Sequence, residues 1–175
     1  MSVLKDLISQ NELFRFLQSI KTIKDEYPDS AVYPYIVNTG YPFLSSGYAS
    51  RSHQILKHFN KMYTDKKYIA IHNLGFPWKF YHVKNNMDIS GASFLYKKDN
   101  VYYLTLPNIS TTKANYKLIY DLLSGYFNFH TMHVASDYRN AYPVISYCNE
   151  NAMISIYEVR GMWHISSICK KAYFN

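Results

Sequence analysis

Short apolar runs that end at turn residues, each followed by a stretch with helical spacing, recur along this chain. That alternation limits the fold more than any other feature. Residues 32–37 (VYPYIV) form such a run and stop at Asn38-Thr39-Gly40. Tyr48, Ser52, Ile55, Leu56, Phe59, Met62 and Tyr63 then fall at helical spacing behind Ser46, a residue type suited to capping a helix start. Residues 68–74 (YIAIHNL) read as a second strand ending at Gly75. Strand, helix and strand in that order favour a parallel pair joined by a right-handed crossover. The pattern continues with short strands over 92–96 and 101–106 on either side of the turn-forming Lys97-Lys98-Asp99-Asn100. A helix over 111–125, a strand over 131–135, a helix over 137–149 and a strand over 153–159 complete it. Pro34 has no N–H to give a ladder, which places the start of pairing at Tyr35. Pro143 either marks the first turn of its helix or kinks it.

The expected architecture is a three-layer α/β sandwich with an open, mainly parallel sheet, occupying residues 30–175 as one domain. Ahead of it, Leu4, Leu7, Ile8, Leu13, Phe14, Leu17 and Ile20 predict one helix over 1–26, a packed extension spanning 1–28 and closed by Pro28-Asp29. In such sheets ligands sit beyond the carboxyl ends of the strands, so loops 38–47, 73–79, 107–112, 135–138 and 160–164 are the places to look.

With 48% hydrophobic residues, the 175-residue chain has material for a large core, which excludes a disordered tail. No apolar run nears the roughly 18 residues of a membrane span. Polar Asp6, Gln10, Asn11 and Glu12 break up the N-terminus where a secretory signal would be unbroken, so a cytoplasmic setting is expected. Cys148 and Cys169 form neither a disulfide framework nor a metal pair by spacing. Seven histidines lack the carboxylates or thiols that would complete a metal set. The net charge of +7 is concentrated in the middle, where eleven Lys and Arg between Ser30 and Tyr120 face only Asp65, Asp88 and Asp99. Such a stretch suits an anionic partner, or is simply a solvated surface. The loop 38–47 offers a helix N-terminus to an anion, but it closes with neither a Walker lysine nor a dinucleotide glycine pattern.

Five segments in order then carry a resemblance. Residues 46–53 (SGYASRSH), 74–78 (LGFPW), 99–107 (DNVYYLTLP), the pair 133–136 (HVAS) with 140–143 (NAYP), and 157–163 (YEVRGMW) are similar to signatures of family 4 glycosyltransferases. The resemblance covers nearly everything after the first helix. Ser46 replaces a glycine of the family loop, and His164 stands where the family often has Glu. It implies the Rossmann-like N-terminal, acceptor-side half of a GT-B fold, with the C-terminal donor domain absent from these residues. The implied activity is transfer of a sugar from a nucleotide-sugar donor to a saccharide, lipid-linked or other acceptor, with retention at the anomeric carbon. It implies no cofactor and no divalent metal, and the isolated chain is expected to be inactive.

By the same resemblance the substrate-binding residues are Gly47, Arg51, His133, Ser136, Arg160 and Gly161, with no residue singled out as catalytic. The three motifs they come from should converge on one rim of the sheet. Arg51 also reads as an ion-pair partner of Glu158, and His53 as a structural histidine. Arginine cannot serve as a general base at neutral pH, so Arg160 would orient or stabilise charge. The partners implied are the nucleotide-sugar and its acceptor, with no nucleic acid, in the cytoplasm or at the inner face of a membrane. The rival readings are a catalytically silent interaction subunit and a basic module for anions or nucleic acid.

Overall fold

The computed structural model describes residues 2–28, 31–79, 93–135 and 138–160. Among them six strands form one sheet: β1 (Ala31–Val37), β2 (Lys66–His72), β3 (Leu95–Lys98), β4 (Val101–Leu104), β5 (Thr131–Ala135) and β6 (Ile154–Glu158), in the order β3-β4-β2-β1-β5-β6. All neighbours run parallel except the β3–β4 hairpin. The helices are α1 (Ser2–Leu7), α2 (Gln10–Glu26), α3 (Gly47–Met62), α4 (Lys113–Phe127) and α5 (Tyr138–Glu150). This is the α/β, mostly parallel, Rossmann-like arrangement that the alternation predicts.

Side chains alternate across the strands and so divide the core in two. Val32, Ile36, Ile69, Ile71, Leu104, Met132 and Val134 pack on the face covered by α1, α2, α4 and α5. Tyr35, Val37, Ala70, Tyr103 and Ala135 face the other way, onto Leu56 of α3. The α3 helix is tied down by polar bonds as well. Asn60 accepts from the Tyr68 N–H at 2.7 Å and donates to the carbonyls of Tyr68 and Asn100, both at 2.9 Å. His53 lies between the Tyr103 hydroxyl at 2.8 Å and Asp99 at 3.0 Å, which makes it a structural residue. These bonds fix the middle and the C-terminal end of α3 against the amino-terminal part of β2 and the turn that leads into β4.

Three local expectations need correction. The helix predicted over 1–26 is two helices, because Ser9 caps a new one: its Oγ accepts from the Glu12 N–H at 3.2 Å. The second of them is no peripheral attachment, since Phe16, Ile20 and Ile23 are wholly buried in the larger core. Pairing of β1 begins at Ala31 rather than Tyr35; Pro34 is tolerated because β5 pairs with β1 only at Tyr35 and Ile36. Lys97 and Lys98 belong to β3, leaving Asp99 and Asn100 as the turn, with Asp99 at a left-handed φ of 51°. Pro143 lies inside α5, beyond its first turn. Among the described residues no helix is long and apolar enough to cross a membrane.

Candidate functional site

From β1 the chain crosses through α3 to β2 on one side, whereas from β5 it crosses through α5 to β6 on the other. The winding therefore changes direction between β1 and β5. At such a point the loops leaving two neighbouring strands diverge and open a crevice at their carboxyl ends. A cavity of about 250 Å³ lies there, lined by Asn38 and Thr39 after β1, Leu44, Ser46 and Tyr48 around the start of α3, Ser52, Ala135 at the end of β5, and Arg160 after β6. Ser46 caps α3 as its sequence position predicts, with Oγ accepting from the Ala49 N–H at 3.2 Å. Gly47, the first residue of α3, has nothing within 4 Å of where a side chain would begin, so neither packing nor backbone geometry demands a glycine there. The open space leaves the helix N-terminus accessible.

Behind the part of the wall that Arg160 forms lies an ion-pair cluster centred on Glu158. Arg160 grips its carboxylate with one edge of the guanidinium, Nε to Oε1 at 2.9 Å and Nη2 to Oε2 at 3.0 Å. The other donors of Arg160 go to Ser52 Oγ at 2.7 Å, the Tyr48 carbonyl at 3.3 Å and the Tyr35 hydroxyl at 2.5 Å. Tyr35 in turn donates to Glu158 Oε2 at 2.5 Å. Arg51 reaches Oε1 from α3 at 3.2 Å, as the expected ion pair. His133 stands 3.7 Å from Oε2, its ring 4.3 Å from that of Tyr35. The Arg160 side chain is 1% exposed and that of Arg51 58%, so the first is sealed in the wall and the second faces solvent.

Protonation follows from this packing. Burial alone would raise Glu158, but hydrogen bonds from Arg160 and Tyr35 hold its carboxyl below the ordinary carboxylate range. Burial and the bond to Glu158 push the Tyr35 phenol up, so it stays a neutral donor. Burial depresses the His133 imidazole, against the pull of Glu158. Two guanidinium charges against one carboxylate leave the cluster at +1. A second buried polar set fixes the neighbouring loops: Tyr116 donates to Asn73 Oδ1 at 2.9 Å, and Asn73 donates to Asn140 Oδ1 at 2.5 Å.

Arg51, His133 and Arg160, from three motifs far apart in sequence, thus meet on one carboxylate, and Gly47 opens the adjoining helix. Ser136 and Gly161 lie outside the described residues. Sequence reasoning missed Tyr35 and Ser52. The one available signal was position: Tyr35 lies near the carboxyl end of its strand on the α3 side, and Ser52 one turn into α3. Among the described residues no group of three or more His, Cys, Asp or Glu could hold a metal ion. The chain was compared with family models, curated proteins and solved structures. It matches none of them.

Proposed function

We propose that this chain is the acceptor-side domain of a retaining, GT-B-type glycosyltransferase, working with a donor-binding domain that supplies the nucleotide-sugar. The observation that carries the reading is the crevice at the reversal of winding, where the motifs that resemble the family converge. Its lining of Asn38, Thr39, Ser46, Tyr48 and Ser52 offers amide and hydroxyl groups matched to the hydroxyls of a saccharide. The accessible α3 N-terminus suits the developing negative charge of a departing diphosphate. Arg160, saturated by its partners, serves as a positioning residue rather than as a base.

Titration of the isotope-labelled protein with a panel of simple glycosides tests this. Shifts should centre on the amides of Thr39, Ser46, Tyr48 and Ala135. The chain supplied with nucleotide-sugars and acceptors should give no transfer by itself, because donor and acceptor must be held together. Shifts confined to other surfaces, or competition by a random oligonucleotide at low salt, would defeat the proposal.

A second reading, an interaction subunit, is favoured by the edge strand β6. Ile154 and Ile156 are exposed on it and Val159 just after it, whereas the opposite edge, β3, is guarded by Lys97 and Lys98. Sedimentation of the chain over a range of concentrations tests for self-association through that edge.

A further inference from the structure

Behind the Arg160 wall of the crevice, on the side of a neighbouring basin, stands a histidine with one ring nitrogen unpartnered. His133 Nε2 is sealed from solvent and has no hydrogen-bond partner, although Glu158 Oε2 lies only 3.7 Å away. Tyr35 faces it from β1, and Glu158 and Arg160 face it from β6 and the residues after it. From α3, Arg51 shares the same carboxylate. His58, Lys61 and Lys57 line a basin beside it, of which Lys57 is already held by Asp99 at 2.9 Å. Glu158 is therefore the one carboxylate within reach of a charged imidazole here among the described residues.

We propose that protonation of His133 gates the crevice: the imidazolium takes Glu158 Oε2, the Nη2 of Arg160 is released toward the cavity, and the crevice then accepts an oxyanion. This rests on the crevice being the ligand site of the proposed function. The movement is small, since closing 3.7 Å to a charge-assisted bond of about 2.8 Å needs a shift of roughly 1 Å. Oε2 now serves Tyr35 and Arg160 Nη2, so a third donor must displace one of them. Arg160 keeps Ser52 and the Tyr48 carbonyl through Nη1 and pivots there, so that Nη2 leaves the Tyr35 hydroxyl as well as Oε2 and the Nε bond to Oε1 loosens. The cluster rises from +1 to +2 as the proton binds. Burial holds the imidazole below the ordinary histidine range, so the gate responds only below that range.

Imidazole and arginine side-chain resonances of the intact chain, followed from pH 7.5 to 5, test the coupling without any ligand. His133 and the Arg160 Nε–H signal should move with one midpoint. Glu158→Gln should lower the His133 midpoint by about one unit and uncouple the two signals. Inorganic sulfate, whose charge is constant over this range, should bind up to about tenfold more tightly for each unit the pH falls toward the midpoint, and level off below it. In His133→Gln that dependence should vanish. Titration of His133 without a response at Arg160, or sulfate affinity that changes identically in His133→Gln, overturns the proposal. If the two signals stay coupled while glycosides bind elsewhere, the function assigned to the crevice fails and the latch stands. If glycosides shift the crevice amides and the signals are uncoupled, only the latch is lost.

Discussion

Gly40 stands against the ring of His72, and no other residue type fits there. A Cβ would lie 2.9 Å from His72 Nε2 and 3.4 Å from Tyr103 Cε1, both on side chains buried in the core. Neither ring can step aside, since His72 Nδ1 is held by Thr105 Oγ1 at 3.0 Å and the Tyr103 hydroxyl by His53. Gly40→Ala is expected to cost about 1–3 kcal/mol by overpacking, read as a lower urea midpoint with an unchanged slope. Tyr35→Phe works by the opposite means. It leaves the cavity filled but strips a donor from Glu158 and an acceptor from Arg160, at a cost of about 1–2 kcal/mol. If that variant is as stable as the parent, the phenol is not part of the cluster. At this scale the charged members of the site were legible, because an unpaired Arg51 and Glu158 each ask for a partner. Tyr35 was not. Its hydroxyl matters only because β6 returns beside β5, 123 residues away along the chain from Tyr35 to Glu158, and no local pattern encodes that return.

Elements form where local chemistry and burial agree, and their ends fall where side chains satisfy the backbone. The α3 helix shows both: its capping serine and its apolar spacing are visible in sequence and are found as expected. The break between α1 and α2 shows the limit. Apolar spacing persists through Ile8 to Leu13, so periodicity reads one helix, yet Ser9 with Glu12 three residues later forms the start of a second. Ser9→Ala should cost about 1 kcal/mol, seen as a lower thermal midpoint, because one orphan N–H of α2 loses its acceptor. A larger loss, about 2–5 kcal/mol, is expected for Ile20→Ala, since Ile20 is wholly buried between α2 and the sheet. A loss below 1 kcal/mol would mean that α2 can leave without disturbing the core. The α2 helix is pinned at its far end too, where Glu26 accepts from Lys97 at 2.6 Å and from the Tyr102 hydroxyl. That clasp joins α2 to the β3–β4 hairpin, a contact spanning 76 residues that only the folded chain reveals.

For the whole molecule, two sets of titrating groups divide its acid response into separate windows. His72 is fully buried and its imidazole is pushed down to about 3 by burial, while in the unfolded chain it titrates near 6.5. The His133 imidazole is depressed in the same direction. A group whose folded value is lowered binds its proton more readily when unfolded, so stability is full above about pH 6.5 and falls as the pH drops toward the folded value. Each such histidine contributes a slope of up to about 1.4 kcal/mol per pH unit in that window. The carboxylates act lower down. Glu26, Asp99 and Glu158 are all depressed by hydrogen bonds or cations, so what they contribute persists above the ordinary carboxylate range and is lost only as the pH falls through their folded values. Between pH 6.5 and 5 the decline in urea midpoint should therefore come from the histidines. His72→Gln should remove part of that slope whatever it does to the absolute stability, because the slope counts protons and not contacts. His133→Gln should remove a further part. The lower limb, below pH 4.5, should survive in both variants, since the carboxylates remain. If the upper slope is unchanged in His72→Gln, then the burial of that ring between the strand end and Gly40 is not what excludes the proton, and the close approach at Gly40 must open on the timescale of titration.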